Sequence, residues 1–135
     1  MTVLPTEPVG SVPRPAYLQE AMTAFANAQI SQQELDRLTN QALQETIAAL
    51  EQTGSPVITD GEQAKPSFAT YPITGLEGLQ PNGVVIPFAD GHTRQLPVIS
   101  KGPFHYTTTA DTYLKRAKTF TNRPIKQAVI AVSAL

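Results

Sequence analysis

The chain has 135 residues, no cysteine, two histidines and a formal net charge of −1. That composition excludes disulfides, thiol nucleophiles and thiolate metal sites, and the two histidines alone are too few for a catalytic zinc, which takes three protein ligands. The near-neutral balance gives no global field toward nucleic acid or a membrane surface. With 41% apolar residues the chain has enough for one core. No apolar run approaches the ~20 residues that span a bilayer, and the N-terminus lacks a signal-peptide pattern. The reading is a soluble, cytoplasmic chain of a single domain over 1–135.

The charge is unevenly spread. Up to Glu62 there are eight acids against Arg14 and Arg37, whereas from Arg94 to Lys126 there are seven bases against Asp111. Two complementary solvated faces account for this. A basic surface for an anionic ligand, such as a polyglutamate tail or a phosphate, is the alternative.

In chain order, residues 1–9 are polar and broken by proline. Pro8-Val9-Gly10-Ser11-Val12-Pro13-Arg14-Pro15 follows, in which Gly10 permits close backbone approach and Pro15 suits the first turn of a helix. That helix is expected over 16–28, with Leu18, Met22 and Phe25 on one face. Arg14 either faces a site or covers the end of this helix. Ser31 and Glu34 match a capping box, with Ile30 as staple. A helix from there to about Thr53 presents Leu35, Leu38, Ala42, Leu43, Thr46, Ile47, Ala49 and Leu50 on one face, and Gly54 stops it. Residues 7–11 are the candidate strand before these helices.

Pro56-Val57-Ile58-Thr59-Asp60-Gly61-Glu62 then reads as a short buried strand that ends in two carboxylates around a glycine. In open α/β sheets and barrels, ligands bind at such C-terminal tips. A solvated acidic turn has the same composition. Lys65 is expected to form a surface ion pair. Residues 63–81 look like a long lid-like loop. The runs 84–88 and 96–100 bracket Asp90-Gly91, a hairpin signal, so a hairpin insertion is expected over about 82–101. His105 should pack against Phe104 and Tyr106. A helix capped near Thr109 and Asp111 runs through Phe120, and 125–132 reads as a second buried strand.

Three motifs together resemble the catalytic domain of the cobalamin-independent methionine synthases and their shorter relatives. They are Val9-Gly10-Ser11-Val12-Pro13-Arg14-Pro15, Thr59-Asp60-Gly61-Glu62 after a long helix, and Pro124-Ile125-Lys126 entering an apolar strand. The resemblance implies an α/β fold, the N-terminal portion of a (β/α)8 TIM-type barrel of about three strands with the β-hairpin inserted. It implies a methyltransferase of methionine biosynthesis, which passes a methyl group from 5-methyltetrahydrofolate, usually polyglutamylated, to homocysteine. It also implies zinc as cofactor of the complete enzyme, and homocysteine held by Val9, Gly10, Ser11 and Glu62. Backbone N–H groups and a hydroxyl suit a carboxylate, and a buried glutamate suits an ammonium.

The departures are equally informative. The family's zinc ligands lie in later strands, and none occurs here. The family's Arg-Cys pair for folate falls near His92-Thr93, so the resemblance assigns no folate contact. Three outcomes are expected: a barrel portion inactive by itself, completed by further chain or by self-association; a non-catalytic amino-acid-binding or interaction module; or an inactive truncated product. Nucleic acid and membrane partners are not expected.

Overall fold

Ser31 opens the longest element in the way its hydroxyl dictates. In this computed structural model, which describes residues 4–131, Ser31 Oγ accepts from Glu34 N at 3.2 Å and α2 runs Gln32–Gln52. The reciprocal half of the capping box is not made. The Glu34 carboxylate turns instead to the Arg37 guanidinium, at 2.7 and 2.9 Å, because a charged fork is the stronger donor. Gly54 ends the helix at φ +74, a left-handed conformation that glycine adopts without a Cβ clash. The buried stripe is Thr39, Ala42, Leu43 and Ile47. Ala49, expected on that face, is exposed, since two residues past Ile47 is about 200° round the helix.

α1 (Ala16–Ala26) packs on α2, burying Leu18 and Ala21. It stops short of the expected end, with Ala28 at φ +55. Phe25, expected on one face with Leu18 and Met22, is 38% exposed. The Tyr17 hydroxyl donates to Glu45 on α2 at 2.8 Å. Partial burial first, and this bond second, raise its pKa to about 12.

One compact unit contains the chain up to Lys65 together with Ala110–Val129. Its sheet is a parallel pair, β1 (Ile58–Thr59) and β6 (Ile125–Lys126), in the register Ile58↔Ile125 and Thr59↔Lys126. α2 and α3 (Ala110–Lys118) cover it. Ile47, Ile58 and Ala117 form the buried centre, with Leu50, Phe120 and Ile125 packed around them. Arg116 joins the two helices, donating to Asn40 at 2.8 Å and pairing with Asp36 at 3.2 Å.

The strand expected over 7–11 does not form a ladder. The segment runs beside β1, but side chains hold it. Ser55 Oγ donates to Thr6 O at 2.7 Å, Thr59 Oγ1 donates to Gly10 O at 2.8 Å, and Val12 N donates to Gly61 O at 3.1 Å. Pro5 and Pro8 have no N–H to give a neighbour, which works against a ladder, and the segment's own carbonyls accept from hydroxyls on the β1 side. The other expected strand, over 125–132, is short as well. Its pairing ends at Lys126, because β1 gives out where the chain turns at Gly61 (φ +62). Val132 lies outside the described residues.

The second unit includes Pro66–Thr109. A 3₁₀ turn, Tyr71–Ile73, is buried, and Thr107 N donates to Pro72 O at 2.8 Å. The expected lid-like loop is therefore anchored at its middle. β3 (Val85–Pro87) pairs antiparallel with β4 (Thr93–Gln95), so the Asp90-Gly91 turn makes the expected hairpin. Its second strand is not the apolar run, however. That run supplies β5 (Val98–Ile99), which pairs antiparallel with β2 (Leu79–Gln80). A tight turn sets the register, and tightness here selects Thr93–Gln95 over the more apolar residues beyond. Phe88 and His92 stack across the turn with ring centroids 4.2 Å apart. His105 is exposed, as are Phe104 and Tyr106, so the expected aromatic packing is not seen.

Candidate functional site

β1 is buried and apolar up to Ile58, and then turns polar without leaving the interior. Thr59, Asp60, Glu62, Gln63 and Lys65 are all under a tenth exposed. The alternative of a solvated acidic turn is thereby removed. Thr59 Oγ1 receives Gly61 N at 3.2 Å, and Asp60 Oδ1 receives Glu62 N at 3.0 Å. These bonds hold Gly61 and Glu62 in successive left-handed conformations, at φ +62 and +57. For a glutamate that geometry costs on the order of 1 kcal/mol. A Cβ on Gly61 would lie 2.6 Å from Val12 Cγ2 and 2.7 Å from Thr46 Cγ2, so only glycine fits.

Arg14 locks the turn from outside. Its guanidinium donates to the carbonyls of Glu62 (3.1 Å), Gln63 (3.5 Å) and Lys65. Of the two places the sequence allows for Arg14, this is the one beside the site.

Three chain segments meet at the Glu62 carboxylate. A Cβ built on Gly10 would lie 3.6 Å from Glu62 Oε1 and 3.1 Å from Ala128 Cβ. Ala128 follows β6, and its carbonyl accepts from Lys65 Nζ at 2.6 Å. Lys65 Nζ stands 3.6 Å from Glu62 Oε1 and 5.9 Å from the centroid of the Tyr113 ring. Burial raises the Tyr113 pKa, and the nearby Arg116 cation partly offsets the effect. Lys65, expected at the surface, is 1% exposed. Its four-carbon stem crosses apolar space to reach a buried carboxylate and a carbonyl. The i, i+3 spacing to Glu62 is the sequence signal for it, because a turn brings such residues together.

The four residues expected to hold homocysteine divide. Gly10 and Glu62 are brought together, both buried. Val9 is 92% exposed and Ser11 is exposed, so their side chains face outward on either side of Gly10. Polar capacity inside the unit is left over. Asp60 Oδ2, Glu62 Oε1, Gln63 Oε1 and both carboxamide atoms of Gln127 are buried with no hydrogen bond. Gln127 was not singled out from sequence; it follows Lys126 as Asp60 follows Thr59, in the β6–β1 register. No apolar periodicity marks such a residue. Among the described residues, no group of three or more His, Cys, Asp or Glu side chains is placed to hold a metal ion.

These features define an α/β chain that carries a buried carboxylate–ammonium site at the C-terminal ends of two parallel strands. No family model matches the chain. Curated relatives do. The methionine synthase of Sulfolobus acidocaldarius is 29% identical over 101 residues, 75% of this chain and 30% of the relative. That of Sulfurisphaera tokodaii is 28% identical over 114 residues, 84% of this chain and 34% of the relative. A solved B12-independent methionine synthase from Shewanella sp. W3-18-1, in complex with selenomethionine, superposes with a TM-score of 0.69 at 22% identity. It covers 95% of this chain and 38% of its own. The chain is similar to the methionine synthases over part of their length, and its fold is that of part of a B12-independent one. It spans about a third of the length of the curated relatives it matches.

Proposed function

We propose that the chain is the opening portion of a (β/α)8 barrel and holds part of the homocysteine and methionine pocket of a zinc-dependent methyltransferase. In the complete enzyme, 5-methyltetrahydrofolate gives its methyl group to the homocysteine sulfur. The observation that carries this reading is the meeting of Gly10, Glu62 and Ala128 at one buried point. Glu62 pairs with the amino acid's ammonium. The Val9–Ser11 segment offers backbone N–H groups to its carboxylate. The structural relative's complex with selenomethionine supports an amino acid of this kind.

The residues present do not fit zinc. There is no cysteine, and the described His, Asp and Glu side chains make no cluster for a metal. Activation of the sulfur therefore belongs to a part of the family enzyme that these residues do not represent. This favours a second reading for the chain by itself, an amino-acid-binding module that does no chemistry. β6 pairs on one side only among the described residues. An unpaired parallel edge favours completion by further barrel or by another copy, which sedimentation velocity would register as a species heavier than the monomer. The expected setting is the cytoplasm, and no helix among the described residues is long and apolar enough to cross a membrane.

Calorimetric titration with L-methionine and L-homocysteine tests the pocket. Binding that Glu62→Gln abolishes is the expected result. Silence at millimolar ligand ends the reading.

A further inference from the structure

The five cations from Lys115 to Lys126 divide by partner. Lys115 pairs with Asp111 at 2.8 Å, Arg116 with Asp36 at 3.2 Å and Lys126 with Glu7 at 2.8 Å. Lys118 and Arg123 form no ion pair among the described residues. These two line the same hollow, a cavity of about 540 Å³ whose other walls are Thr121, Asn122, Pro124 and Ile125. It lies within the first unit, where the chain passes from α3 into β6. The Asp60–Glu62 turn follows β1 and so lies at the opposite end of the parallel pair. The hollow is therefore separate from the candidate site.

Helix chemistry accounts for part of this charge. Cations in a last turn complement the helix dipole, and α3 ends in Lys115, Arg116 and Lys118. Arg123 lies beyond the helix, however, and carbonyls at the end of α3 already have donors. Arg116 O accepts from Thr119 N at 3.2 Å and from Thr119 Oγ1 at 2.8 Å, and Ala117 O accepts from Phe120 N at 3.0 Å. The loop is also shaped in advance. Arg123 N donates to Thr121 Oγ1 at 3.0 Å, and that hydroxyl donates to the Glu51 carboxylate. The Arg123 guanidinium reaches back to Ser55 O at 3.4 Å, a long bond that leaves most of its five N–H groups for a ligand. Glu51 is the carboxylate that would repel an anion here. It lines the adjoining hollow of about 380 Å³ and not this one.

We propose that this hollow binds the phosphate group of a small phosphate monoester. The planar fork of Arg123 and the ammonium of Lys118 together carry two positive charges, which match a phosphate dianion. The Asn122 carboxamide adds donors from the same wall. Pro124 and Ile125 give the organic part of the ester an apolar surface to lie on. Between the two anions that the basic run suggests, a polyglutamate tail spreads its charges over several residues. Two cations in one hollow suit the more compact anion.

Calorimetry on the full 135-residue chain, with phenyl phosphate as the probe, tests this. Wild type should bind it with a Kd below about 1 mM. Lys118→Gln and Arg123→Gln should each weaken binding about tenfold, because each removes a charged donor. Lys115→Gln removes an exposed cation that lines no part of the hollow, and it should stay within about twofold of wild type. Inorganic phosphate and triglutamate should each bind about threefold more weakly than phenyl phosphate, or worse. Silence up to about 10 mM probe, a loss in Lys115→Gln equal to that in Arg123→Gln, or either other anion bound as tightly overturns the proposal. Should a variant fail to give a cooperative melt, spectra of the wild type decide. Phenyl phosphate should move the backbone amide signals of Asn122 and Arg123 and leave that of Gly91 in place. Signals that move alike in both units, or not at all, overturn the proposal.

Discussion

The two units of this chain distribute polarity in opposite ways. In the unit built on β1 and β6, a lysine, an aspartate and a glutamate are buried. In the unit built on the antiparallel pairs, Val84, Val85, Phe88 and Val98 are 42–69% exposed, and every residue of β3 and β4 is exposed. An apolar run therefore did not mark the interior of this molecule, and a charged cluster did not mark its surface. The difference follows from what each strand is packed against. β1 has helices over it and a segment tied along its edge, so whatever follows Ile58 is enclosed. β3 and β4 pair with no other strand among the described residues, and a two-stranded hairpin has no inside.

The largest expected effect comes from unbalancing the buried charges. Lys65→Met leaves the Glu62 carboxylate enclosed without a cation, which should cost about 3–5 kcal/mol in urea denaturation. The double variant Glu62→Gln/Lys65→Met removes both charges and should recover most of that loss, because two neutral side chains of similar size leave no ion stranded. Losses that simply add would mean that the two groups are not coupled. The contrast between the units would then reduce to ordinary packing.

A smaller effect should come from two glycines with the same backbone sign in the two units. Gly61 has φ +62 and Gly91 has φ +87. A methyl group on Gly61 meets the Val12 and Thr46 methyls within 2.7 Å, whereas one on Gly91 meets nothing within 4 Å. Gly61→Ala should cost about 3 kcal/mol, combining left-handed strain with overpacking against stiff β-branched neighbours. Gly91→Ala should cost about 1–2 kcal/mol, from the backbone alone. Equal costs in chemical denaturation would show that the Gly61 turn opens readily, and the site with it.

Much of the first unit was legible in the sequence because local chemistry and burial agree there. Ser31 as cap, Gly54 as stop and Ile58 as buried strand all appear where the residues put them. The strand over 7–11 was misread for a reason visible in the same sequence. Its prolines cannot donate, and the hydroxyls that hold its carbonyls, Ser55 and Thr59, lie about fifty residues on, where no local pattern reveals them. Lys65 was assigned to the surface because lysines rarely lie inside, and its burial depends on Ala128, which is distant in sequence. The hairpin turn was readable from Asp90-Gly91. Its partner strand was not, because the apolar run outweighed the geometry of a tight turn. For the candidate site, Gly10 and Glu62 were legible as motif residues, whereas Gln127 carries no mark of its place in the leftover polar capacity.

The smallest expected effect is the most direct check on the second half of the comparison. Ile86 lies at the centre of β3, opposite Arg94, and is 37% exposed. Ile86→Thr keeps the β-branched shape that a strand prefers and puts a hydroxyl where water can reach it. The change should therefore stay within about 0.5 kcal/mol. The same substitution at Ile58, which is 0% exposed, buries a hydroxyl among Ile47 and Ala117 and removes packing, at a cost of about 2–4 kcal/mol. The pair of melts compares a buried isoleucine with an exposed one, since the residue types match. If Ile86→Thr were as costly as Ile58→Thr, the hairpin's apolar face would be covered in solution, and dilution should then lower the wild-type melting temperature if a second copy does the covering. A mild Ile86→Thr with a concentration-independent melt leaves those apolar residues exposed, and the stability of the chain with the helices around β1.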